Sequence, residues 1–195
     1  MDYRKMKLID LEEVFDLHTE AFFDHAIIQL GKSYNKKFIK YFINDEKAVS
    51  LVATYQNKII GYVIGAPNGY QIGLNKKLKF LKYMSVILKP NIWFNRNVLL
   101  AIKRTLLSKN IGKPKNQDDK YFSLVGIGVK SEFRRKNIGA ELVKNFELEV
   151  KTAGWEKLKL SVHENNNNAQ RFYEKLGWFH LEKGVGNVIF SRLLA

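Results

Sequence analysis

The sequence predicts an α/β (α+β) fold in which a mixed central sheet is flanked by helices, organised as a single domain over residues 1–195. Two observations carry this prediction. Residues 121–162 read strand, helix, strand with short connections, which implies a parallel pair joined by a right-handed crossover. Hairpin patterns stand on either side of that unit, so antiparallel strands must share the same sheet. The chain is also long enough to bury a full core, with 46% apolar residues and 27% charged ones.

The elements follow in order. Met6–Ile9 reads as a first strand. Asp10-Leu11-Glu12-Glu13 starts a helix with a capping acid and another acid three residues on, followed by Val14, Phe15, Leu17, Ala21 and Phe22 near helical spacing. A second helix is expected over Tyr34–Phe42. Val49–Tyr55 and Ile59–Ile64 flank Gln56-Asn57-Lys58 as a hairpin. Tyr121–Val129 is then a strand, Ile138–Thr152 a helix, Lys157–Val162 a strand and Asn167–Leu176 a helix. Phe179–Lys183 and Asn187–Leu193 close as a hairpin.

Residues 66–120 interrupt this pattern as a basic, helical insertion before the fourth strand. Lys76, Lys79 and Lys82 share one helical face, opposite Phe80, Leu81, Met84, Ile87 and Leu88, and Pro90 ends the helix. A second apolar-basic helix is expected near 95–107, with a loop over 110–120. From Asn75 to Lys120 there are 12 Lys and Arg against two acids, within a chain whose net charge is +14. Such charge attracts polyanions: an anionic acceptor, a phosphate-rich cofactor, or anionic lipid through peripheral contact of 76–107. No nucleic-acid-binding module is recognisable.

The 195 residues contain no cysteine, which excludes disulfides, thiolate metal sites and a cysteine nucleophile within them. His18, His25, His163 and His180 form no metal-ligand spacing, so no metal is expected. There is no long apolar signal core and no apolar run of about 20 residues. The expected location is therefore cytoplasmic, with the inner membrane face open to it.

Lys130-Ser131-Glu132-Phe133-Arg134-Arg135-Lys136-Asn137-Ile138-Gly139-Ala140 joins the 121–129 strand to its helix. The free amides of a helix's first turn and the helix dipole favour phosphate, and Arg134, Arg135 and Lys136 add cationic charge at the same place. It is neither a Walker loop nor a dinucleotide fingerprint. Further on, Asn166-Asn167-Asn168-Ala169-Gln170-Arg171-Phe172-Tyr173-Glu174-Lys175-Leu176-Gly177-Trp178 begins with capping residues and stops at a glycine.

These two motifs, in this order and about 25 residues apart, resemble those of the GNAT N-acetyltransferase superfamily. The first is Arg/Gln-x-x-Gly-x-Gly/Ala; the second is the Asn-x-x-Ala-x-x-aromatic-Tyr helix. The likeness is close over 121–180 and looser before it, and it does not extend to 66–120. It implies a GNAT fold with about six or seven strands and acetyl-CoA as cosubstrate. By position it implies that the backbones of Ile127, Gly128 and Val129 face the pantetheine arm and that Arg134 through Ala140 hold the pyrophosphate. Gly126 and Gly128 would permit the strand splay. Asn166 lies near the cofactor arm, or serves only as a helix cap. Asn137 stands where the family usually has its first glycine, and asparagine tolerates the left-handed backbone such a turn requires.

Tyr173 resembles the family's general acid, which protonates the departing thiolate. A lysine-like acceptor amine carries an extra proton at neutral pH, so a base or water chain is expected. The 121–129 strand carries no acid. His163 is the leading candidate for the base, with Glu20, Asp24 and His25 able to face the acceptor from the end of the first helix. The expected partner is a small, anionic acceptor such as a nucleotide-linked amino sugar; a protein or peptide amine is the alternative. The oligomeric state is left open, a dimer included.

Overall fold

The computed structural model describes residues 1–22, 28, 31–70, 120–184 and 186–194. The helices expected near 76–90 and 95–107 lie outside the described residues, as do Asp24 and His25.

Seven strands form one sheet: β1 (Asp2–Lys5), β2 (Val49–Tyr55), β3 (Lys58–Pro67), β4 (Phe122–Val129), β5 (Lys157–His163), β6 (Phe179–Gly184) and β7 (Asn187–Leu193). Their spatial order is β1-β2-β3-β4-β5-β7-β6. All neighbours run antiparallel except β4 and β5, the parallel pair that the strand-helix-strand reading requires. Four described helices cover the sheet: α1 (Leu11–Ala21), α2 (Lys32–Asn44), α3 (Ile138–Thr152) and α4 (Asn167–Lys175).

The sheet separates two cores. On one face α3 and α4 bury Ile138, Leu142, Val143, Phe146, Val150 and Tyr173 against Val63, Phe122, Leu158, Leu160 and Phe190. On the other, α1 and α2 bury Val14, Leu17, Phe38, Ile39 and Phe42 against Val52, Tyr62 and Ile64. Each fully buried aliphatic or aromatic side chain contributes about 1.5–3 kcal/mol, so both layers are firmly held to the sheet.

The start of the chain corrects the sequence reading. The first strand is Asp2–Lys5, paired with Leu51–Thr54 on β2, while Leu8–Asp10 forms a 3₁₀ turn. Asp10 does not cap α1 with its side chain. Its carboxylate accepts from Arg4 Nη1 and Nη2 at 2.7 and 2.8 Å and from the Lys7 amide at 2.7 Å. Glu13, expected in the capping box, accepts instead from the Ile59 amide at 3.1 Å. Asp10 is held by neighbours on its N-terminal side and Glu13 by a distant strand, so neither caps α1. Elsewhere the hairpin turn at Gln56 and Asn57 is left-handed at both residues (φ 48° and 62°), as a tight two-residue connection requires.

Candidate active site

The sheet opens at its one parallel seam. β4 meets β5 only through Phe122↔Leu158 and Ser123↔Lys159. Beyond those pairs β5 stays paired with β7 along its whole length, so from Leu124 onward the β4 edge diverges from β5. A bulge accompanies the fork: Ile64 faces Gly126 and Gly65 faces Leu124, leaving Val125 as the extra residue on β4.

Backbone alternation decides which groups line the fork. The Lys130 amide donates to Ile60 on β3 at 2.9 Å. Counting back in twos, Gly128 and Gly126 also turn their peptide groups toward β3, and those of Ile127 and Val129 face the open edge. Gly128 has a second reason to be glycine. A Cβ there would stand 2.8 Å from Tyr62 Cε1 and 3.0 Å from the Ala21 Cβ, so its bareness makes room for the Tyr62 ring.

At the end of the fork, β4 runs through a 3₁₀ turn (Ser131–Phe133) into α3. Arg135 (φ 60°) and Asn137 (φ 63°, ψ 2°) both adopt the left-handed conformation. Asparagine at 137 thus occupies the backbone region that a glycine would. Two left-handed residues within three turn successive amides the same way, the geometry of an anion-binding nest. The amides of Arg135 through Ala140 donate to no acceptor among the described residues; the first helical bond is Glu141 to Asn137, at 3.1 Å. Six donors at a helix N-terminus, beside exposed Arg135 and Lys136, suit a diphosphate.

Arg134 is used differently. Its Nε donates to the Val129 carbonyl at 3.0 Å and its Nη2 reaches Glu20 at 3.3 Å. Glu20 also accepts from the Ser131 amide at 3.1 Å. Glu20, read from the sequence as able to face the acceptor, therefore ties the turn to the end of α1.

Helix α4 stands against this turn. Asn166 caps it, accepting from the Ala169 amide at 3.1 Å, which is the structural one of its two expected roles. Gly177 (φ 81°) ends it, with Trp178 N bonded back to the Tyr173 carbonyl at 3.0 Å. Phe172 packs over Gly139, its Cζ at ordinary van der Waals distance (3.4 Å) from where a Cβ would stand, so α4 rests on the first turn of α3. The next residue, Tyr173, is buried between Trp178 and Phe190, with ring centroids 5.6 and 6.1 Å away. Burial pushes its phenol well above the ordinary value of 10.0, so the hydroxyl keeps its proton across the working pH range.

His163 ends β5 with an exposed side chain, and its Nδ1 accepts from the Asn165 amide at 3.3 Å. These contacts hold the turn into α4. A pair that the sequence did not single out lies across the sheet: His18 Nδ1 and Tyr62 Oη are 2.5 Å apart, both buried. Phe22 and Phe38 flank the imidazole at ring-centroid distances of 4.9 and 5.9 Å. The available signals were weak. His18 continues the apolar stripe of α1 four residues after Val14, and Tyr62 lies in an apolar strand. Among the described residues no cluster of three His, Asp or Glu could hold a metal ion.

A parallel strand pair that forks beside an amide-rich turn, with a tyrosine helix packed against that turn, defines an α/β transferase scaffold for a diphosphate-bearing cosubstrate. The family model of the acetyltransferase (GNAT) family matches residues 11–178, and the chain belongs to that family. It is an acetyl-CoA-dependent N-acetyltransferase. Solved structures share the fold. The smu.2055 protein of Streptococcus mutans UA159 is 22% identical over all of both chains, with a TM-score of 0.61. The PaiA N-acetyltransferase of Thermoplasma acidophilum, in complex with coenzyme A, is 16% identical over 98% of each chain, at 0.58. The ribosomal-protein-S18-alanine N-acetyltransferase of Escherichia coli is 15% identical over 100% of this chain and 94% of that one, at 0.60. A search of curated proteins found no match.

Proposed function

We propose that this chain moves an acetyl group to the amine of a small, anionic acceptor by direct attack within a ternary complex. The observation that carries the donor side of this reading is the run of partner-free amides from Arg135 to Ala140, placed at the end of the β4–β5 fork. Those amides, with Arg135 and Lys136, bind the diphosphate. The peptide groups of Ile127 and the Val129 amide, which face the open edge, align the pantetheine arm as an added strand would. Acetyl-CoA supplies the acetyl group as a thioester. Tyr173 presents a hydroxyl toward the leaving sulfur; because burial raises its pKa, the hydroxyl stabilises a thiolate chiefly as a hydrogen-bond donor. With no cysteine in these 195 residues, a thiolate acyl-enzyme has no nucleophile here, which favours direct attack.

The anionic character of the acceptor rests on the 12 Lys and Arg between residues 75 and 120. A nucleotide-linked amino sugar combines an amine with phosphates and fits that charge. The test is an acceptor panel followed by free-thiol release from acetyl-CoA: amino sugars, their phosphorylated and nucleotide-linked forms, polyamines, amino acids and peptide N-termini. A lower KM for phosphate-bearing amino sugars, rising with salt, is the expected result. Turnover confined to peptide N-termini would overturn the small-acceptor reading.

A further inference from the structure

Direct attack requires a group that takes a proton from the acceptor amine, and β4 carries no acid or imidazole that could take it. We propose that Tyr62 and His18 form this proton acceptor: the Tyr62 hydroxyl contacts the attacking nitrogen and relays a proton to His18 Nδ1. The inference rests on the acetyl-transfer reading above.

Placement is the first argument. Tyr62 lies on β3 opposite Gly128, and a Cβ on Gly126 would be only 3.7 Å from Tyr62 Oη. Gly126 directly follows the bulged residue Val125, where β4 has already parted from β5. The hydroxyl therefore lies buried over the Gly126 stretch of β4, in the core on the α1–α2 face and not in the one that holds Tyr173.

Chemistry is the second. A phenol whose pKa is raised by complete burial is protonated near neutral pH and cannot itself act as a base. It can accept a proton only while giving up its own. His18 Nδ1, 2.5 Å from the hydroxyl, stands where that proton must go, and imidazole is the side chain suited to hold one near neutral pH. The step balances. The amine N–H bond breaks as a new O–H bond forms on Tyr62, while the original Tyr62 proton passes to His18. The C–N bond forms, the C–S bond breaks, and the thiolate takes its proton or hydrogen bond from Tyr173. After products leave, proton return through solvent restores both phenols and the neutral imidazole.

The experiment compares wild type with Tyr62→Phe and His18→Gln, using the best amine from the acceptor panel and its aminooxy analogue, whose nitrogen is weakly basic. Coenzyme A affinity is measured by calorimetry, folding by thermal melting, and the imidazole by nitrogen NMR. With the amine, each variant should lose about 10²-fold in kcat, the lower end of general-base contributions. With the aminooxy acceptor the loss should shrink to a few-fold, and coenzyme A affinity should stay within about twofold of wild type. In Tyr62→Phe, the His18 Nδ1 resonance should lose its hydrogen-bonded shift. Equal losses with both acceptors, or none with either, would overturn the relay while leaving the transferase reading intact. Should Tyr62→Phe fail to fold, His18→Gln decides alone by the same acceptor comparison. Failure of wild type to take up coenzyme A would instead sink the transferase reading itself.

Discussion

Tyr173→Phe isolates one oxygen. The ring it leaves keeps its place between Trp178 and Phe190, so packing is preserved and the melting temperature should move little. What is lost is a buried hydroxyl, proposed above to face the departing sulfur. A free thiol has a pKa of about 8.5 against about 10 for a free phenol, so full proton transfer is uphill by roughly 2 kcal/mol in water. Burial raises the phenol further and makes transfer less favourable still. The hydroxyl then acts mainly through a hydrogen bond to a charged acceptor, worth about 1.5–3 kcal/mol. At 1.36 kcal/mol per decade, kcat should fall roughly 10- to 150-fold. The interaction exists only as the thiolate forms, so the KM for acetyl-CoA and the calorimetric Kd for coenzyme A should stay within about twofold. Steady-state kinetics by thiol release, at saturating acceptor, reads all three quantities. An unchanged kcat would remove Tyr173 from the reaction, and a fall accompanied by weaker coenzyme A binding would reassign it to holding the cofactor.

Three further outcomes are expected. Asn137→Gly should bind coenzyme A within about twofold of wild type. Asn137→Val, which forces a β-branched residue into left-handed backbone at a cost of about 1–2 kcal/mol, should weaken calorimetric binding about 5- to 30-fold. Asp10→Asn should lower chemical-denaturation stability by about 1.5–3 kcal/mol, because two hydrogen bonds from Arg4 lose their charged acceptor. The same carboxyl titrates below its ordinary 3.8, chiefly through Arg4. Its contribution is therefore present above that value and lost as pH falls through the lowered one, so wild type and Asp10→Asn should converge in stability at the acid end. Gly65→Ala should lower the melting temperature by about 2–4 °C per kcal/mol of strain, since its Cβ would lie 2.4 Å from Phe146 Cζ and 2.5 Å from the Ser123 carbonyl oxygen.

The elements legible in the sequence are those whose signals are local. Helix α3 has the predicted bounds, and α4 ends within a residue of its prediction, because Asn166 and Gly177 cap it through neighbours a few positions away. The fork was legible only through resemblance, since splay between β4 and β5 leaves no mark on either strand's alternation. The glycines carry a further message beyond the splay read in them: Gly128 clears the Tyr62 ring, and the bulge falls at Val125, beside Gly126. The first strand was missed because Asp2-Tyr3-Arg4-Lys5 is an edge strand with almost no apolar content, while Leu8 and Ile9, which looked like strand, are exposed. Asp10 has the right residue type for a cap, but the Arg4 guanidinium holds its carboxylate. No local pattern reports such competition.

The same contrast explains why the donor half of the reaction is readable and the acceptor half is not. The cofactor turn, Tyr173 and the contact between Gly139 and Phe172 that joins them all fall within residues 121–180, where spacing alone sets geometry. The pair proposed for the acceptor side draws His18 from α1 and Tyr62 from β3, 44 residues apart, and they meet only because α1 packs on that face of the sheet. On that proposal, changing α1 or β3 alters what faces the amine without touching an amide of the 135–140 turn. A scaffold divided in this way by its own sheet can hold one cosubstrate while its other face is refitted to a new acceptor. The sequence therefore declares the family through one face, and the acceptor has to be sought on the other.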